Sequence, residues 1–485
     1  MLTYELDRDS GVPMYEALYR AIKEDIRRDV LKAGEKLPSK RAFAEHLGVS
    51  TITVENAYAQ LISEGYVISK PKSGYFVADI SSIRQLYAAP MKTDAVVGGI
   101  GGDGRAAVAG LGIDSRAANG PLLNLSSNQT AAERFPFSIW ARLLREIISE
   151  KTEDLMTVSP GCGIRELREA IVHHLSEFRG MVVSPEQVVI GAGTEYLYSL
   201  IIQLLGRDKI CCVENPGHAK IAEVYRSHGA SVVHVPLDEK GLSVEALGQT
   251  RAEVVHISPT HHFPTGITMP ADRRYELLAW ARAEAGRYII EDDYDSEFRL
   301  TGKPIPALAG MDPGSSVIYM NTFSKSLAST IRISYMVLPP ALVPVFREKL
   351  GFYACTVSNF EQYTLAAFIR KGYFERHLNR MRLYYTRLRK AVLKTIRDSG
   401  VKDLCRVMES DSGLHLLLQL KTTLPNQVIE ARLLERGIRL TALDKYYVAP
   451  AKAEGHTFIL NYSDLDPEAL GGALEVLGEI LRGES

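Results

Sequence analysis

The chain is short of cysteine, of net charge and of long apolar runs. Its 485 residues include five cysteines, an odd number without zinc-type spacing, which excludes a disulfide framework and a zinc ribbon. Cys211 and Cys212 are adjacent within an apolar run and are expected to be core thiols, while Cys162, between two glycines, is expected to be exposed. No stretch approaches the roughly 18 consecutive apolar residues of a membrane span. The opening MLTYELDRDS has neither the basic nor the apolar part of a secretory signal, so the expected location is the cytoplasm. A formal net charge of −1 gives no overall cationic field, so a nucleic-acid-binding face has to be local. What is present is the composition of globular domains, 46% hydrophobic and 24% charged, on a chain too long for one ordinary core.

Residues 13–78 read as one compact unit. Pro13 suits a helix start, and Tyr15, Leu18, Tyr19, Ile22 and Ile26 follow at helical spacing. KAGEKLP breaks that pattern. Ser39 then caps a short helix stopped by Gly48, and Ser50 caps a third helix with Val54, Ala57, Tyr58, Leu61 and Ile62 on one face, ended by Gly65. YVISKPKSGYFVA alternates around a Lys-Pro-Lys-Ser-Gly tip, a hairpin signal. Three helices and a hairpin are the winged helix-turn-helix layout. The strings LPSKR, LGVS, TVENAYAQL, EGY and GYFV resemble the winged helix of the GntR family of bacterial regulators. The resemblance implies a partner, double-stranded DNA, with the helix from Ser50 in the major groove. Lys40, Arg41, Lys70 and Lys72 become phosphate contacts, with Ser50, Thr51 and Thr53 as short hydroxyl contacts. GntR members often carry arginine after the serine of LGVS and again four residues on. Here those positions are Thr51 and Glu55, so bidentate reading of guanine from them is lost.

Residues 95–120 are rich in Gly and Ala and are expected to be part of a linker spanning 80–120, which at flexible-coil scaling reaches about 35 Å. The expected division is 1–79 for the winged helix, 80–120 for the linker and 121–485 for an α/β domain. In that domain, strand-like runs at 188–190, 210–213, 232–235, 254–257, 288–290, 317–320 and 335–338 alternate with helical segments. The pattern predicts a large, mainly parallel sheet, and the last hundred or so residues a smaller α/β lobe.

Three strings carry chemistry. NTFSKSLASTIRISYMVLP places a lysine after a strand and small hydroxyl residues, with an arginine seven residues on. A lysine amine able to condense with an aldehyde needs this setting, with donors nearby for a phosphate. Lys325 is that amine; Thr322, Ser324 and Arg332 are the phosphate ligands. RYIIEDDYDSEF ends a strand in acids and a tyrosine. Asp292 is chosen to hold a pyridine nitrogen protonated, with Asp293 as its rival and Tyr294 donating to the ring hydroxyl. VVIGAGTEYLYSLI runs a strand into a glycine turn and a helix, whose N-terminal amides at Gly193, Thr194 and Glu195 suit a phosphate.

With SPTHHFPTG, VENPGHAKI and SPGCGIREL, these strings resemble fold-type-I aminotransferases over 121–482, and more specifically the MocR/GabR family, which fuses a GntR-type winged helix to an aminotransferase-like domain. The resemblance implies pyridoxal 5′-phosphate as cofactor. It implies a homodimer, commonly head-to-tail, with the winged helix of one subunit over the large domain of the other. The implied function is a DNA-binding transcriptional regulator that senses pyridoxal phosphate or an amino compound through an imine at Lys325, on an operator of repeated half-sites. The alternative is a working aminotransferase with an appended winged helix. Departures bear on the ligand. Phe263 stands where enzymes often carry asparagine, leaving His261 or His262 to substitute. His218 stands where relatives stack a tyrosine, with Lys220 two residues on. Ile459 stands where enzymes place an arginine for the substrate carboxylate, and that loss argues against ordinary transamination.

Overall fold

The computed structural model describes residue 4 and residues 13–70, 73–79, 123–127, 132–300, 305–312, 316–408, 413–448 and 455–483. The expected linker at 80–120 and Lys72 lie outside the described residues.

The N-terminal unit has helices α1 (Met14–Arg27), α2 (Lys40–Leu47) and α3 (Thr51–Ser63). Ser39 and Ser50 cap α2 and α3 by accepting from Ala42 N and Thr53 N, and Gly48 ends α2 in the left-handed region at φ +64. Leu18, Ile22, Phe43, Val54, Tyr58 and Leu61 are fully buried between the helices. Strands β2 (Val67–Lys70) and β3 (Gly74–Val77) form the expected hairpin. A third strand, β1 (Lys36–Leu37), was not expected. It lies in the KAGEKLP break and pairs with β3, Lys36 opposite Phe76 and Leu37 opposite Tyr75, tying the wing to the helices.

β4 (Leu123–Asn124) leads into the larger part of the chain. There β5 (Val188–Gly191), β6 (Ile210–Asn215), β7 (Ser231–Asp238), β8 (Gly241–Leu242), β9 (Val254–Ile257), β10 (Tyr288–Asp292), β11 (Val317–Thr322) and β12 (Ser334–Val337) form one sheet in the order β5-β12-β11-β10-β9-β6-β7-β8. β7, β6, β9, β10 and β11 are mutually parallel; β12 runs against β11 and β5 against β12, and β8 folds back on β7. Every residue of β5, β9, β10, β11 and β12 is buried except half-buried Tyr288, as a sheet covered on both faces requires. Cys211 and Cys212 are core residues of β6, whereas Cys162, expected to be exposed, is half-buried against the sheet core.

The small lobe pairs β13 (Cys405–Met408), β14 (His415–Leu420), β17 (His456–Asn461) and β16 (Thr441–Ala442) in that order, while β15 (Ile438–Arg439) pairs with β4. Helix Tyr373–Asp398, 26 residues long, joins the two lobes. Phe374 and Leu378 sit in the large-domain core, and Met381, Tyr385, Leu388, Val392 and Ile396 in the small-lobe core. No helix among the described residues is long and apolar enough to cross a membrane.

The winged helix packs on the large domain of its own chain, at the start of helix Ala271–Ala283. Ala271 N donates to Glu64 O at 2.9 Å, and the hydroxyls of Tyr66 and Tyr275 lie 3.4 Å apart. Gly65, at φ +76, comes so close that a β-carbon there would stand 2.7 Å from Pro270 Cβ. The buried Glu64 carboxylate accepts from Tyr19 at 2.7 Å, Lys23 at 2.8 Å and Gln60 at 2.6 Å, so no charge is left unpaired under the seam. Behind it, Arg274 donates to the carbonyls of Met269 (2.9 Å), Pro306 (2.6 Å) and Pro259 (3.1 Å).

Candidate functional site: a lysine pocket between the lobes and a recognition helix without cations

β11 ends at Thr322 and turns at once into the short helical turn Phe323–Ser326, which carries Lys325. The turn is held by hydroxyls: Thr322 Oγ1 accepts from Ser324 N at 3.1 Å and from Ser334 Oγ at 2.8 Å, and Ser324 Oγ donates to Ile331 O at 2.9 Å. Burial pushes the Lys325 ammonium down to about 8, against the opposing pull of Asp295. About a tenth of the amine is thereby free at pH 7.

Asp292 closes β10. Its Oδ2 accepts from Tyr198 at 2.5 Å and faces His256 Nε2 at 3.3 Å, while its buried Oδ1 has no partner. Asp293, one residue on, points to the opposite face, where it pairs with fully buried Arg179 at 2.9 Å and accepts from Tyr319 at 2.6 Å. The strand alternation thus separates the two rival carboxylates, and only Asp292 shares its side with Tyr198 and His256. Tyr294 lines the pocket, its hydroxyl 3.2 Å from His261 Nδ1, which also meets Asp295 Oδ2 at 2.8 Å. His262 is turned away onto Thr265 at 2.7 Å.

Around Lys325 stand Phe263, Tyr294, Asp295, Phe298, His415 and Asn461. His415, on β14, packs 4.8 Å from the His261 ring and faces Pro264 O at 3.1 Å; burial pushes its imidazole down to about 3, so it is neutral. Gly413, at φ +77, lets the chain pass beneath His261, whose ring would collide with any β-carbon there. Ile459, where enzymes place an arginine, is buried in β17.

The third string forms a cradle at the edge. Gly193, at φ +92, precedes helix Thr194–Leu205, and the Arg332 guanidinium lies over it so closely that a β-carbon would collide. Arg332 meets Glu195 Oε2 at 3.1 Å, and Lys220 pairs with the other oxygen. The Lys220 hydrogen bond, with Arg332 nearby, holds the Glu195 carboxyl below its usual range. His218 caps the next helix through Lys220 N at 3.3 Å, its ring 6.0 Å from Phe263, and burial lowers the pKa of its imidazole.

The structure brings together Lys325, Asp292, Tyr294, His261, Thr322 and Ser324, with Gly193, Thr194, Glu195 and Arg332 forming the cradle. Sequence reasoning missed Tyr198, His256, Asp295, His415 and Asn461. Tyr198 was within reach, since it stands one helical turn after Thr194. Within the winged helix, Arg41, Thr51 and Lys70 are exposed, while Ser50 and Thr53 hydroxyls face each other at 2.8 Å. Lys40 Nζ donates to Glu55 at 2.5 Å.

These residues fit a phosphorylated pyridine aldehyde: an amine of lowered pKa, a buried carboxylate oxygen awaiting a donor, and a glycine cradle under an arginine. The comparisons agree. The family described as "Aminotransferase class I and II" matches residues 120–476, and "Bacterial regulatory proteins, gntR family" matches 14–77. The solved structure of LysN, an α-aminoadipate aminotransferase from Thermus thermophilus complexed with N-(5′-phosphopyridoxyl)-L-leucine, superposes with a TM-score of 0.64 at 25% identity, covering 75% of this chain and 92% of that one. The molecule is a pyridoxal-phosphate domain of aminotransferase fold joined to a DNA-binding winged helix. The uncharacterized HTH-type regulator YdeL of Bacillus subtilis is 34% identical, covering 92% of each chain. The probable rhizopine catabolism regulatory protein MocR of Rhizobium meliloti is 32% identical, covering 96% of this chain and 93% of its own. The chain belongs to the MocR-type family of transcriptional regulators.

Proposed function

We propose that pocket occupancy sets the posture of the winged helix on DNA through the segment joining Pro259 to Ala271. One end of that segment supplies His261 and Phe263 to the pocket, and the other end receives Glu64 and Gly65. Met269 N bonds back to Pro259 O at 2.9 Å, and Arg274 clamps both carbonyls, so the segment moves as one piece. That shared segment is the observation carrying the reading. A ligand shifts the equilibrium only by binding the two postures with different affinity.

In this reading Lys325 would supply the amine for the cofactor aldehyde, the unpartnered Asp292 Oδ1 would accept from the pyridine nitrogen, and Tyr294 would serve the ring hydroxyl. Thr322, Ser324, Arg332 and the amides of Thr194 and Glu195 would hold the phosphate, with His218 and His261 bordering the ring; the Gly193 amide, expected to join them, instead donates to Gly191 O at 2.9 Å. The cofactor, when bound, supplies an electrophilic carbon that captures amines. The effector is pyridoxal phosphate itself or an amino compound. Ile459 in place of an arginine leaves a pocket wall poor in carboxylate anchors, which favours regulation over steady transamination.

The protein works in the cytoplasm as a homodimer on repeated half-sites, with 80–120 as the linker. Exposed Phe137 (64%), Met156 (80%), Val158 (79%) and Phe352 (76%) are large apolar side chains that a second copy would cover. A head-to-tail dimer would make the same winged-helix seam between subunits. The test is a visible spectrum of wild type and Lys325→Ala with pyridoxal phosphate, followed by DNA binding with and without it. A band in wild type alone, with a matching change in DNA affinity, is expected. A band with no change in DNA affinity would overturn the sensing reading.

A further inference from the structure

The face that α3 offers to DNA has an unusual composition. Its sequence, TITVENAYAQLIS, contains no Lys, Arg or His. Val54, Ala57, Tyr58, Gln60 and Leu61 are buried, and the exposed residues are Thr51, Ile52, Glu55, Asn56 and Ala59. At about 100° per residue these five fill one arc of roughly 140°. Ile52 and Ala59 run down its middle, Asn56 borders one side, and Thr51 and Glu55 the other.

The neighbours narrow what is left to read bases. Thr53 Oγ1 is engaged with the Ser50 cap at 2.8 Å. Glu55 is held by Lys40 at 2.5 Å, which occupies both the carboxylate on the reading face and the cation beside it. Ile52 is 67% exposed, a large aliphatic side chain in the middle of a groove-facing surface.

In the major groove only thymine offers a methyl group, and adenine offers the N6 donor and N7 acceptor that a carboxamide matches in pairs. Guanine is read chiefly by Arg or Lys. We propose that α3 reads A·T pairs, with Ile52 and Ala59 against thymine methyls and Asn56 bidentate on an adjacent adenine. The proposal rests on the DNA-binding reading of the winged helix and adds the chemistry of the bases it selects. Affinity then comes from cations off the helix, Arg41 and Lys70 among them, and selectivity from a strip of methyls and one carboxamide.

The experiment uses the full chain with pyridoxal phosphate at one fixed salt concentration. A pool of random 30-base-pair duplexes is selected for binding. The enriched duplex is then remade with single thymines replaced by uracil, which removes only the C5 methyl. Half-sites rich in A·T are expected, with about a 5- to 10-fold loss of affinity for uracil at one or two positions. Ile52→Ala should bind thymine and uracil alike at one of those positions, Ile52→Val should keep part of the difference there, and Asn56→Ala should lose its preference for adenine at one position by about 10-fold or more. Both side chains are exposed, and unchanged salt-dependent affinity for unselected DNA confirms that the winged helix of each variant is folded. Half-sites dominated by G·C, or indifference of wild type to uracil, overturn the proposal. Salt-dependent binding to bulk DNA without enrichment of any sequence overturns it while leaving the DNA-binding reading intact. Absence of all DNA binding removes both.

Discussion

The lysine pocket and the recognition helix are opposites. The pocket is buried, crowded with ionisable groups and built from five separate stretches of chain. α3 is exposed, has one ionisable group on its outer face and is a single local segment. In the pocket, burial turns ordinary side chains into chemistry: Lys325 is lowered to about 8 and His415 to about 3, each mainly by loss of water. On the outer face of α3, selectivity has to come from uncharged side chains, a strip of methyls and one carboxamide. What joins the two regions is the segment from Pro259 to Ala271, clamped by Arg274 and bonded through Ala271 N to the Glu64 carbonyl.

The comparison can be broken most severely at Lys325. Lys325→Ala should abolish the visible band altogether and leave cofactor-free DNA affinity at the wild-type value, as measured by spectroscopy and anisotropy. A change in cofactor-free DNA affinity would mean the pocket and helix are not separable. Next comes Gly193→Val, which drives a side chain into Arg332 from a backbone at φ +92. Cofactor affinity should fall by about 100-fold, given backbone strain of a few kcal/mol, in an absorbance titration. At the seam, Gly65→Val should destabilise docking by about 2 kcal/mol because of the contact with Pro270 and the positive φ. The melting temperature should drop, and the cofactor should no longer alter DNA affinity although the band persists.

A milder handle is pH. The Lys325 shift is downward, so the amine is protonated below about 8 and free above it. The rate of cofactor capture should rise by about 10-fold per unit between pH 6 and 8 and then level off. A stopped-flow rate that keeps rising about tenfold per unit beyond about pH 9 would contradict the lowered pKa. The smallest effect belongs to Glu55→Gln, which releases Lys40 from its 2.5 Å pair. Binding to unrelated DNA should strengthen less than threefold, with the salt slope steepening by about one.

How much of this was legible in the sequence differs between the two regions, for the same physical reason. Caps, turns and periodicity are local, so Ser39, Gly48, Ser50 and the wing hairpin were readable, and all seven expected strands are present. The glycine turn and the lysine string were readable because phosphate and amine chemistry demand particular residues at short spacing. His415 and Asn461 were not, since they come from a different lobe and carry no local signal; β14 reads HLLLQL, a plain buried strand. The choice between Asp292 and Asp293 needed only the strand's alternation together with knowledge of which face was which, and the second was tertiary. β1 went unseen because two residues give no periodicity. Which residues of α3 face out follows from its buried stripe, but the pairing of Glu55 with Lys40 depends on how α2 lies against it.

The helix Tyr373–Asp398 has a consequence for how a ligand is received. At 26 residues it is about 39 Å long, and its sequence contains neither proline nor glycine to bend it. Both lobes are riveted to this one beam, each by its own set of apolar side chains. The spacing of the two cores that wall the pocket is therefore set by one unbroken element, as the gap between two beads is set by the wire through both.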